Sequence, residues 1–167
     1  MKSIVVAGGC FWGVQEYYRR LKGITLTKVG YAQSKTDNPS YRQVCDGNTE
    51  AVEAVYLEYD HNIISLDQIF DHLFRIIDPT SLNRQAMDVG TQYRTGIYYD
   101  NDTDRDVALY FMGKKEQEYK DEIVVEVKPI TNFYDAETYH QNYLVKNPSG
   151  YCHVDFSKAK KEELKVQ

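Results

Sequence analysis

The alternation of apolar and polar positions predicts strands at several places in the chain. Residues 3–7 form a short apolar run that is typical of a buried strand. Alternation with a period of two covers residues 24–32, 51–60, 93–100 and 123–127. Within the second of these segments, Glu53 falls on the same face as Val55, Leu57 and Tyr59. The pattern therefore predicts one carboxyl among apolar neighbours.

Helical spacing of apolar residues predicts helices between these strands. The helical segments are residues 14–21, 41–45, 66–77 and 102–118. Ser65 and Gln68 form a capping-box signature before the third helix, and Pro79 follows its end. Because strands and helices alternate, we expect an α/β fold class in which helices flank a small mixed sheet, with an irregular C-terminal segment.

Length and composition predict one domain, residues 1–156, followed by a charged tail over residues 157–167. The net charge is −5, and acidic and basic residues are interspersed along the chain. The sequence therefore shows no basic cluster of the kind that binds nucleic acid. No apolar run approaches membrane-spanning length, and the first residues lack the pattern of a signal peptide. We therefore expect a cytoplasmic protein without a nucleic-acid or membrane partner.

The three cysteines, Cys10, Cys45 and Cys152, are far apart and lack the spacing of metal ligands. Such a sparse, odd set suits a reducing compartment with one or two working thiols. We expect no metal and no cofactor. Cys45 lies in a predicted short helix, where its expected role is packing.

Cys10 stands where the first strand gives way to a helix, directly after Gly8 and Gly9. Glycine permits a sharp turn there, and the free N–H groups of a helix start favour a thiolate. Phe11 and Trp12 follow and would supply an apolar wall. Taken singly, such a cysteine is more often a small buried hydrophobe, but the combination indicates a reactive thiol.

A buried carboxyl without a cation keeps its proton to a higher pH, which is what a general acid near neutral pH requires. Glu53 fits this description if its strand is internal. From the pattern alone, an edge strand with Glu53 facing water is the simpler interpretation. A long polar stretch over residues 80–92, which contains Asp88, is of the kind that more often serves function than connection.

Two other functions fit the same residues. A cysteine hydrolase or acyl transferase would pair Cys10 with His140 or His72, and it would form an acyl intermediate without any reductant. A tyrosine-rich binding domain with structural cysteines would leave Cys10 slow toward alkylating reagents at neutral pH.

Several motifs, in order, resemble those of the A-type peptide methionine sulfoxide reductases. The first is Gly-Cys-Phe-Trp-Gly at residues 9–13. The later ones lie at residues 29–31, 38–41, 44–47, 82–85, 88–94, 133–137 and 139–141. The resemblance extends from about residue 7 to about residue 151. It implies a two-layer α+β fold with an open basin and reduction of the S epimer of methionine sulfoxide, free or in proteins.

The resemblance also implies roles for particular residues. Cys10 would be the nucleophile and Glu53 the acid beside the sulfoxide oxygen. Tyr31 and Tyr93 would donate hydrogen bonds to that oxygen, and Asp88 would hold the site through an ordered water. The pocket for the methyl group of the substrate would consist of Phe11 and Trp12.

A second thiol must resolve the sulfenic acid that such a reaction leaves on Cys10. Cys152 follows a Pro-Ser-Gly-Tyr segment near the C-terminus, where chain segments are least tied down. The resemblance likewise implies a C-terminal resolving cysteine, a Cys10–Cys152 disulfide and regeneration by thioredoxin. We expect a monomer.

The chain departs from the family pattern at two places beside the expected basin. Gln33 and Ser34 stand where the family usually has glycines, and residues 50–52 read Glu-Ala-Val instead of Gly-His-Ala. The second departure makes Glu50 the rival of Glu53 for the role of acid.

Overall fold

The computed structural model describes residues 1–166. Its strands are β1 (Lys2–Gly8), β2 (Ile24–Ala32), β3 (Val52–Tyr59), β4 (Arg84–Gln85), β5 (Asp88–Val89), β6 (Thr95–Tyr99), β7 (Glu126–Pro129) and β8 (Phe133–Asp135). Its α-helices are α1 (Phe11–Arg19), α2 (Tyr41–Cys45), α3 (Leu66–Ile76), α4 (Asp102–Glu116) and α5 (Tyr143–Lys146). The pattern of apolar positions located β1, β2, β3, α2 and α3 to within two residues at each end.

Six strands form one sheet in the order β7-β6-β1-β3-β2-β8, and β4 pairs with β5 in a separate hairpin. All neighbours in the large sheet are antiparallel except β6 and β7, which are parallel. The prediction of a small mixed sheet flanked by helices is therefore confirmed. Strand β3 lies near the middle of the sheet, between β1 and β2, so Glu53 is not on an edge strand.

The two faces of the sheet bury different sets of side chains. One face packs against α1, α3 and α4 in the main apolar core, to which β3 contributes Val55, Leu57 and Tyr59. The other face carries a smaller cluster that includes Val52 and Ala54. This alternation gives the two-layer α+β arrangement, and it directs Glu53 toward the helical layer.

The sequence of helix α3 shows how local side chains fix the start and the buried face of a helix. Ser65 accepts the backbone N–H of Gln68, and the Gln68 side chain accepts the backbone N–H of Ser65. This capping box satisfies two donors that a helix start leaves free. Ile69, Phe70 and Leu73 are fully buried on the face that meets the sheet.

The second half of the chain differs most from expectation. The strand predicted at residues 123–127 begins at Glu126, and the short strands β4, β5 and β8 were not predicted. Strand β8 pairs with β2 through Gly30, Tyr31 and Ala32. Three residues are too few for a periodic signal, so only this long-range pairing stabilises β8 as a strand.

Residues 157–166 of the predicted charged tail pack on the domain. Lys22 donates its backbone N–H to the carbonyl of Glu163 at 2.9 Å, and Leu164 bridges to Leu21. Arg75 holds the Glu163 carboxylate at 2.8 Å. The boundary between residues 156 and 157 remains a prediction. Within residues 1–166, no helix is both long and apolar enough to cross a membrane.

Candidate active site

Cys10 caps helix α1 at the end of β1. Gly9 has φ +86°, a left-handed conformation that glycine adopts without strain, and it turns the chain from the strand into the helix. Cys10 is itself extended, with φ −52° and ψ 124°, and 8% of its surface is exposed. The thiol is therefore at the start of the helix, as predicted, and only a narrow part of it is open to solvent.

The protonation of Cys10 differs from the expectation. Burial raises the pKa of the Cys10 thiol well above its ordinary value, and the charge of Glu53 raises it further. The backbone N–H of Trp12 opposes this rise, but it does not outweigh burial. The prediction of a thiol already lowered toward thiolate is therefore wrong for the resting protein. Asp88 and Cys152 also raise this pKa, so both lie near the thiol.

Glu53 points into the helical layer beside Cys10. It is 1% exposed, and its carboxylate oxygen accepts the backbone N–H of Phe11 at 3.2 Å. Burial raises the pKa of Glu53 to about 8, with the Phe11 N–H opposing and Asp88 adding to the rise. The carboxyl is therefore mostly protonated at neutral pH. The interpretation that the pattern alone favoured, an exposed carboxylate on an edge strand, is therefore wrong.

Glu50 occupies a different environment. Its side chain is exposed and pairs with Lys35 at 2.9 Å, and its backbone has φ +56°. The structure therefore places Glu53, and not Glu50, beside the Cys10 thiol.

Tyr31 lies directly opposite Glu53 in the β2–β3 pairing. Its hydroxyl donates to a carboxylate oxygen of Glu137 at 2.8 Å, and Glu137 also accepts the backbone N–H of Tyr41 at 2.9 Å. Although burial alone would raise the pKa of Glu137, these donors hold it below its ordinary value. Because a phenol has one proton, Tyr31 can donate a hydrogen bond to a substrate only if its hydrogen bond to Glu137 breaks.

Tyr93 ends a short 3₁₀ turn, Thr91–Tyr93, and is partly buried. Burial raises the pKa of its hydroxyl, and the charges of Glu53, Tyr41, Asp88 and Cys10 raise it further. These neighbours place the Tyr93 phenol among the groups around the thiol. Burial likewise raises the pKa of Tyr41, which shares Glu53 and Tyr93 as neighbours.

An aromatic cluster closes one side of the site. Phe11 is 1% exposed and packs against the rings of Tyr31 and His140, whereas Trp12 is partly exposed. Trp12 stacks on Tyr143 with 3.8 Å between ring centroids and donates its indole N–H to His140 Nδ1 at 3.0 Å. Trp12 is therefore a fixed apolar surface, and Phe11 packs against the same His140 ring that accepts the Trp12 indole N–H.

The two histidines of the hydrolase alternative are engaged elsewhere. Nδ1 of His140 accepts the Trp12 indole N–H, and burial lowers the pKa of the imidazole. His72 lies on helix α3, and its Nδ1 is 2.7 Å from the hydroxyl of Tyr17 on α1. In the part of the chain that the structure describes, neither ring forms a hydrogen bond with Cys10, so neither is placed as its base.

Asp88 lies on the β4–β5 hairpin and accepts the hydroxyl of Tyr151 at 2.9 Å. Cys152 follows and packs against helix α1, where its Sγ would be 2.7 Å from a Cβ on Gly13. The C-terminal segment is therefore folded over the helix that Cys10 caps. The expectation that this segment is free is wrong for the resting protein.

The three cysteines are free thiols. Cys45 is exposed at the end of α2, so the prediction that its role is packing is wrong. A five-residue helix buries one residue, Val44, and leaves its last turn in solvent. Among residues 1–166, no group of three or more His, Cys, Asp or Glu side chains is placed to hold a metal ion.

Four residues near the site had no role in the sequence analysis: Tyr41, Glu137, Tyr151 and His153. Glu137 meets Tyr31 across 106 positions, and His153 meets the carbonyl of Gly8 across 145. No local periodicity signals such contacts. The only signal in the sequence is that Tyr41, Glu137 and Tyr151 stand within or beside the recognised motifs.

The geometry defines a class of thiol site. A buried cysteine at a helix start lies beside a carboxyl that keeps its proton, with phenols and a fixed indole around them. Such a set can transfer a proton to an oxygen while sulfur attacks an electrophile. A second thiol lies close enough to affect the first.

Comparison with known proteins identifies the family. The family model described as peptide methionine sulfoxide reductase matches residues 2–167. The peptide methionine sulfoxide reductase MsrA of Clostridium botulinum strain Okra is 54% identical over 154 residues, which cover 92% of this chain and 98% of the relative. The chain therefore belongs to the peptide methionine sulfoxide reductase family.

Two solved structures agree with this assignment. Mxr1 of Saccharomyces cerevisiae in its reduced form has a TM-score of 0.84 and 41% identity, covering 90% of this chain and 88% of that one. Mxr1 in complex with Trx2 has a TM-score of 0.59 and 26% identity, covering 85% and 84%.

Proposed function

We propose that this protein reduces the S epimer of methionine sulfoxide, free or protein-bound, to methionine, with Cys10 as nucleophile and Glu53 as acid. The observation that carries the proposal is the Glu53 carboxyl, which is 1% exposed, has a pKa of about 8 and accepts the N–H of the residue after Cys10. Family membership supports the same reaction.

The reduction step needs a proton on the sulfoxide oxygen, because the sulfur is electrophilic only when that oxygen is protonated or strongly hydrogen-bonded. Neutral Glu53 supplies this proton and then accepts the proton of the Cys10 thiol. The S–O bond of the substrate breaks and an S–O bond forms on Cys10. Methionine leaves, its sulfur reduced by two electrons, and Cys10 becomes a sulfenic acid.

The resting state suits this exchange. Cys10 holds its proton because of burial, and the charge of Glu53 is absent while the carboxyl is neutral. Neither group is charged before substrate arrives, so no isolated ion is buried. When sulfur attacks, the N–H groups at the start of α1 favour the negative charge that develops on it.

The phenols have unequal parts in this proposal. Tyr93 has the charges of Glu53 and Cys10 as neighbours, so it serves as a second donor to the sulfoxide oxygen. Tyr31 donates to Glu137 in the resting protein and joins only if that bond opens. Asp88 holds the site through an ordered water and, in this structure, also fixes Tyr151.

Epimer choice follows from two fixed subsites. The terminal methyl group packs in the pocket of Phe11 and Trp12, and the oxygen faces Glu53 and Tyr93. Because sulfur must also face Cys10, only one arrangement of its three substituents fits. We assign this arrangement to the S epimer.

Cys152 resolves the sulfenic acid. Its thiol condenses with the Cys10 sulfenic acid, which forms an S–S bond and releases water. Thioredoxin then reduces the disulfide by dithiol exchange, returning both thiols and leaving as its own disulfide. The packing of Cys152 on Gly13 supports the assignment, and the complex of the related Mxr1 with Trx2 supports the reductant.

We further propose that residues 1–156 act as the catalytic domain of a monomer, with residues 157–167 as its charged tail. Support for a monomer comes from the site itself, since one chain supplies Cys10, Glu53, Tyr93 and Cys152. Three free thiols suit a reducing compartment such as the cytoplasm.

The test is methionine release from each purified sulfoxide epimer with dithiothreitol as reductant. We expect turnover of the S epimer, negligible turnover of the R epimer, and none with Cys10→Ser. Equal rates on the two epimers would refute the two-subsite pocket. Substantial activity of Cys10→Ser would refute the nucleophile.

A further inference from the structure

The segment that carries Cys152 crosses the turn that carries Cys10. His153 Nε2 lies 2.8 Å from the carbonyl oxygen of Gly8, the last residue of β1. The same ring nitrogen would be 3.1 Å from a Cβ on Gly9. The imidazole is therefore seated directly on the backbone that leads into the nucleophile.

The direction of this hydrogen bond follows from its partner. A carbonyl oxygen only accepts, so His153 Nε2 carries the proton and donates it to Gly8. Nδ1 of His153 is then the unprotonated nitrogen. It is buried and has no hydrogen-bond partner among residues 1–166. The neutral imidazole thus contributes one directed N–H to this contact.

The residues on either side of His153 also contact the body of the domain. Cys152 Sγ and Val154 would lie 2.7 and 2.9 Å from a Cβ on Gly13, so only glycine leaves room for them on α1. Tyr151 donates to Asp88 at 2.9 Å. His153 is the one among these that bonds to the backbone of the Cys10 turn itself.

We propose that His153 is a positioning residue for disulfide formation: its N–H bond to the Gly8 carbonyl holds Cys152 against helix α1, within reach of the Cys10 sulfenic acid. This inference rests on the proposed role of Cys152 as the resolving thiol. The condensation is the one already written, with an S–S bond formed and water released. Among residues 1–166, the His153 ring forms no hydrogen bond to either sulfur, so it acts through the position of Cys152.

The physical effect is on the effective concentration of the second thiol. A thiol on a free segment samples many positions, whereas a docked thiol stays near its target. Loss of one hydrogen bond to a buried carbonyl should lower the equilibrium constant for docking about tenfold, and the docked fraction by up to that factor. The reduction of methionine sulfoxide precedes this step and should keep its rate.

The experiment compares His153→Phe, which removes the N–H, with His153→Gln, whose amide N–H can reach the same carbonyl. Each full-length variant is mixed with excess S sulfoxide without reductant and quenched at intervals. Released methionine reports the first step, and mass mapping of the Cys10–Cys152 disulfide reports the second. His61→Phe, an exposed histidine in the turn after β3, is the matched control.

We expect the methionine burst of His153→Phe to match that of the parent protein, while its disulfide forms measurably more slowly, by up to about tenfold. The sulfenic acid should accumulate meanwhile and be trapped by a cyclic diketone. His153→Gln should recover most of the rate, and His61→Phe should change nothing. A parent rate of disulfide formation in His153→Phe, an equal loss in His153→Gln, or a slower methionine burst would overturn the proposal.

Thiol alkylation of the reduced protein gives a second measurement that needs no turnover. Cys152 in His153→Phe should react faster than in the parent because its segment is undocked, and exposed Cys45 serves as the internal reference. Unchanged Cys152 reactivity would overturn the proposal. The Cys152→Ser variant tests the resolving role of Cys152 separately from the positioning role of His153. If this variant still cycles with thioredoxin, Cys152 is not the resolving thiol, irrespective of the results for the His153 variants.

Discussion

Replacing Glu53 by Gln should have opposite effects on activity and stability. The amide keeps the shape of the side chain and can donate a hydrogen bond, but it has no proton to give. The reduction step should slow by about 10²–10⁴-fold at neutral pH, the usual contribution of general acid catalysis. The matched control is Glu50→Gln, because Glu50 is exposed and pairs with Lys35.

The stability effect follows from the pKa of Glu53. The folded protein holds this proton up to a pH of about 8, whereas an unfolded glutamate releases it near its ordinary pKa of 4.5. Folding of the parent protein therefore becomes less favourable as pH rises between these values. At about 1.4 kcal/mol per pKa unit, the full effect is about 5 kcal/mol above pH 8.

Urea unfolding at pH 5 and pH 8.5 measures this effect. The Glu53→Gln variant has no ionisable group at position 53. We therefore expect its free energy of unfolding to fall less than that of the parent between pH 5 and pH 8.5. The change in unfolding free energy between the two pH values should be larger in the parent than in the variant, by at most about 5 kcal/mol. Activity is measured on the same preparations as single-turnover methionine release.

The reasoning would be refuted if Glu53→Gln retained parent activity, or if its stability fell with pH as steeply as that of the parent. A large loss of activity in Glu50→Gln instead would show that the acid had been misassigned. In the parent, the rate of the reduction step should fall as pH rises through about 8, because Glu53 loses its proton there.

Two further predictions concern the phenols and the thiols. Tyr93→Phe should slow the reduction step about tenfold and Tyr31→Phe less, since Glu137 holds the Tyr31 proton at rest; stopped-flow single turnovers compare them, and a larger effect of Tyr31→Phe would contradict the assignment. Cys152→Ser should release one methionine per chain yet lose thioredoxin-supported cycling, whereas Cys45→Ser should cycle normally. Peptide mapping that found Cys10 joined to Cys45 would reverse the two thiol roles.

The sequence predicted those parts of the fold that depend on local pattern. The period-two run grouped Glu53 with apolar side chains on one face of its strand, and the capping box at Ser65 located helix α3. The same run did not show that the strand is internal, so the simpler interpretation, an edge strand with Glu53 facing water, was wrong. Strand β8 was missed because three residues make no pattern. It exists through pairing with β2, roughly a hundred positions earlier in the chain.

The position of Cys10 was also predictable, but its protonation was not. Glycines before a helix indicate the turn, and the free N–H groups at the helix start lower a thiol pKa. Burial by the rest of the domain acts in the opposite direction and is larger here. Burial depends on residues from several distant elements, so no local motif reports its magnitude.

The contacts of the C-terminal segment could not be predicted for the same reason. A Pro-Ser-Gly-Tyr stretch is typical of a mobile approach, and by composition the segment would be free. The bonds of Tyr151 to Asp88 and of His153 to Gly8 dock it instead. Both bonds connect residues far apart in sequence, and these residues come together only in the folded domain.

The central claim is that Cys10 takes the oxygen of the substrate, and one measurement tests it most directly. The Cys152→Ser variant is mixed with the S sulfoxide and a cyclic diketone, without reductant, and both methionine and adducts are counted. We predict one methionine and one diketone adduct per chain, with the adduct on Cys10. Methionine release without an adduct on Cys10, or an adduct on Cys45 instead, would contradict the account.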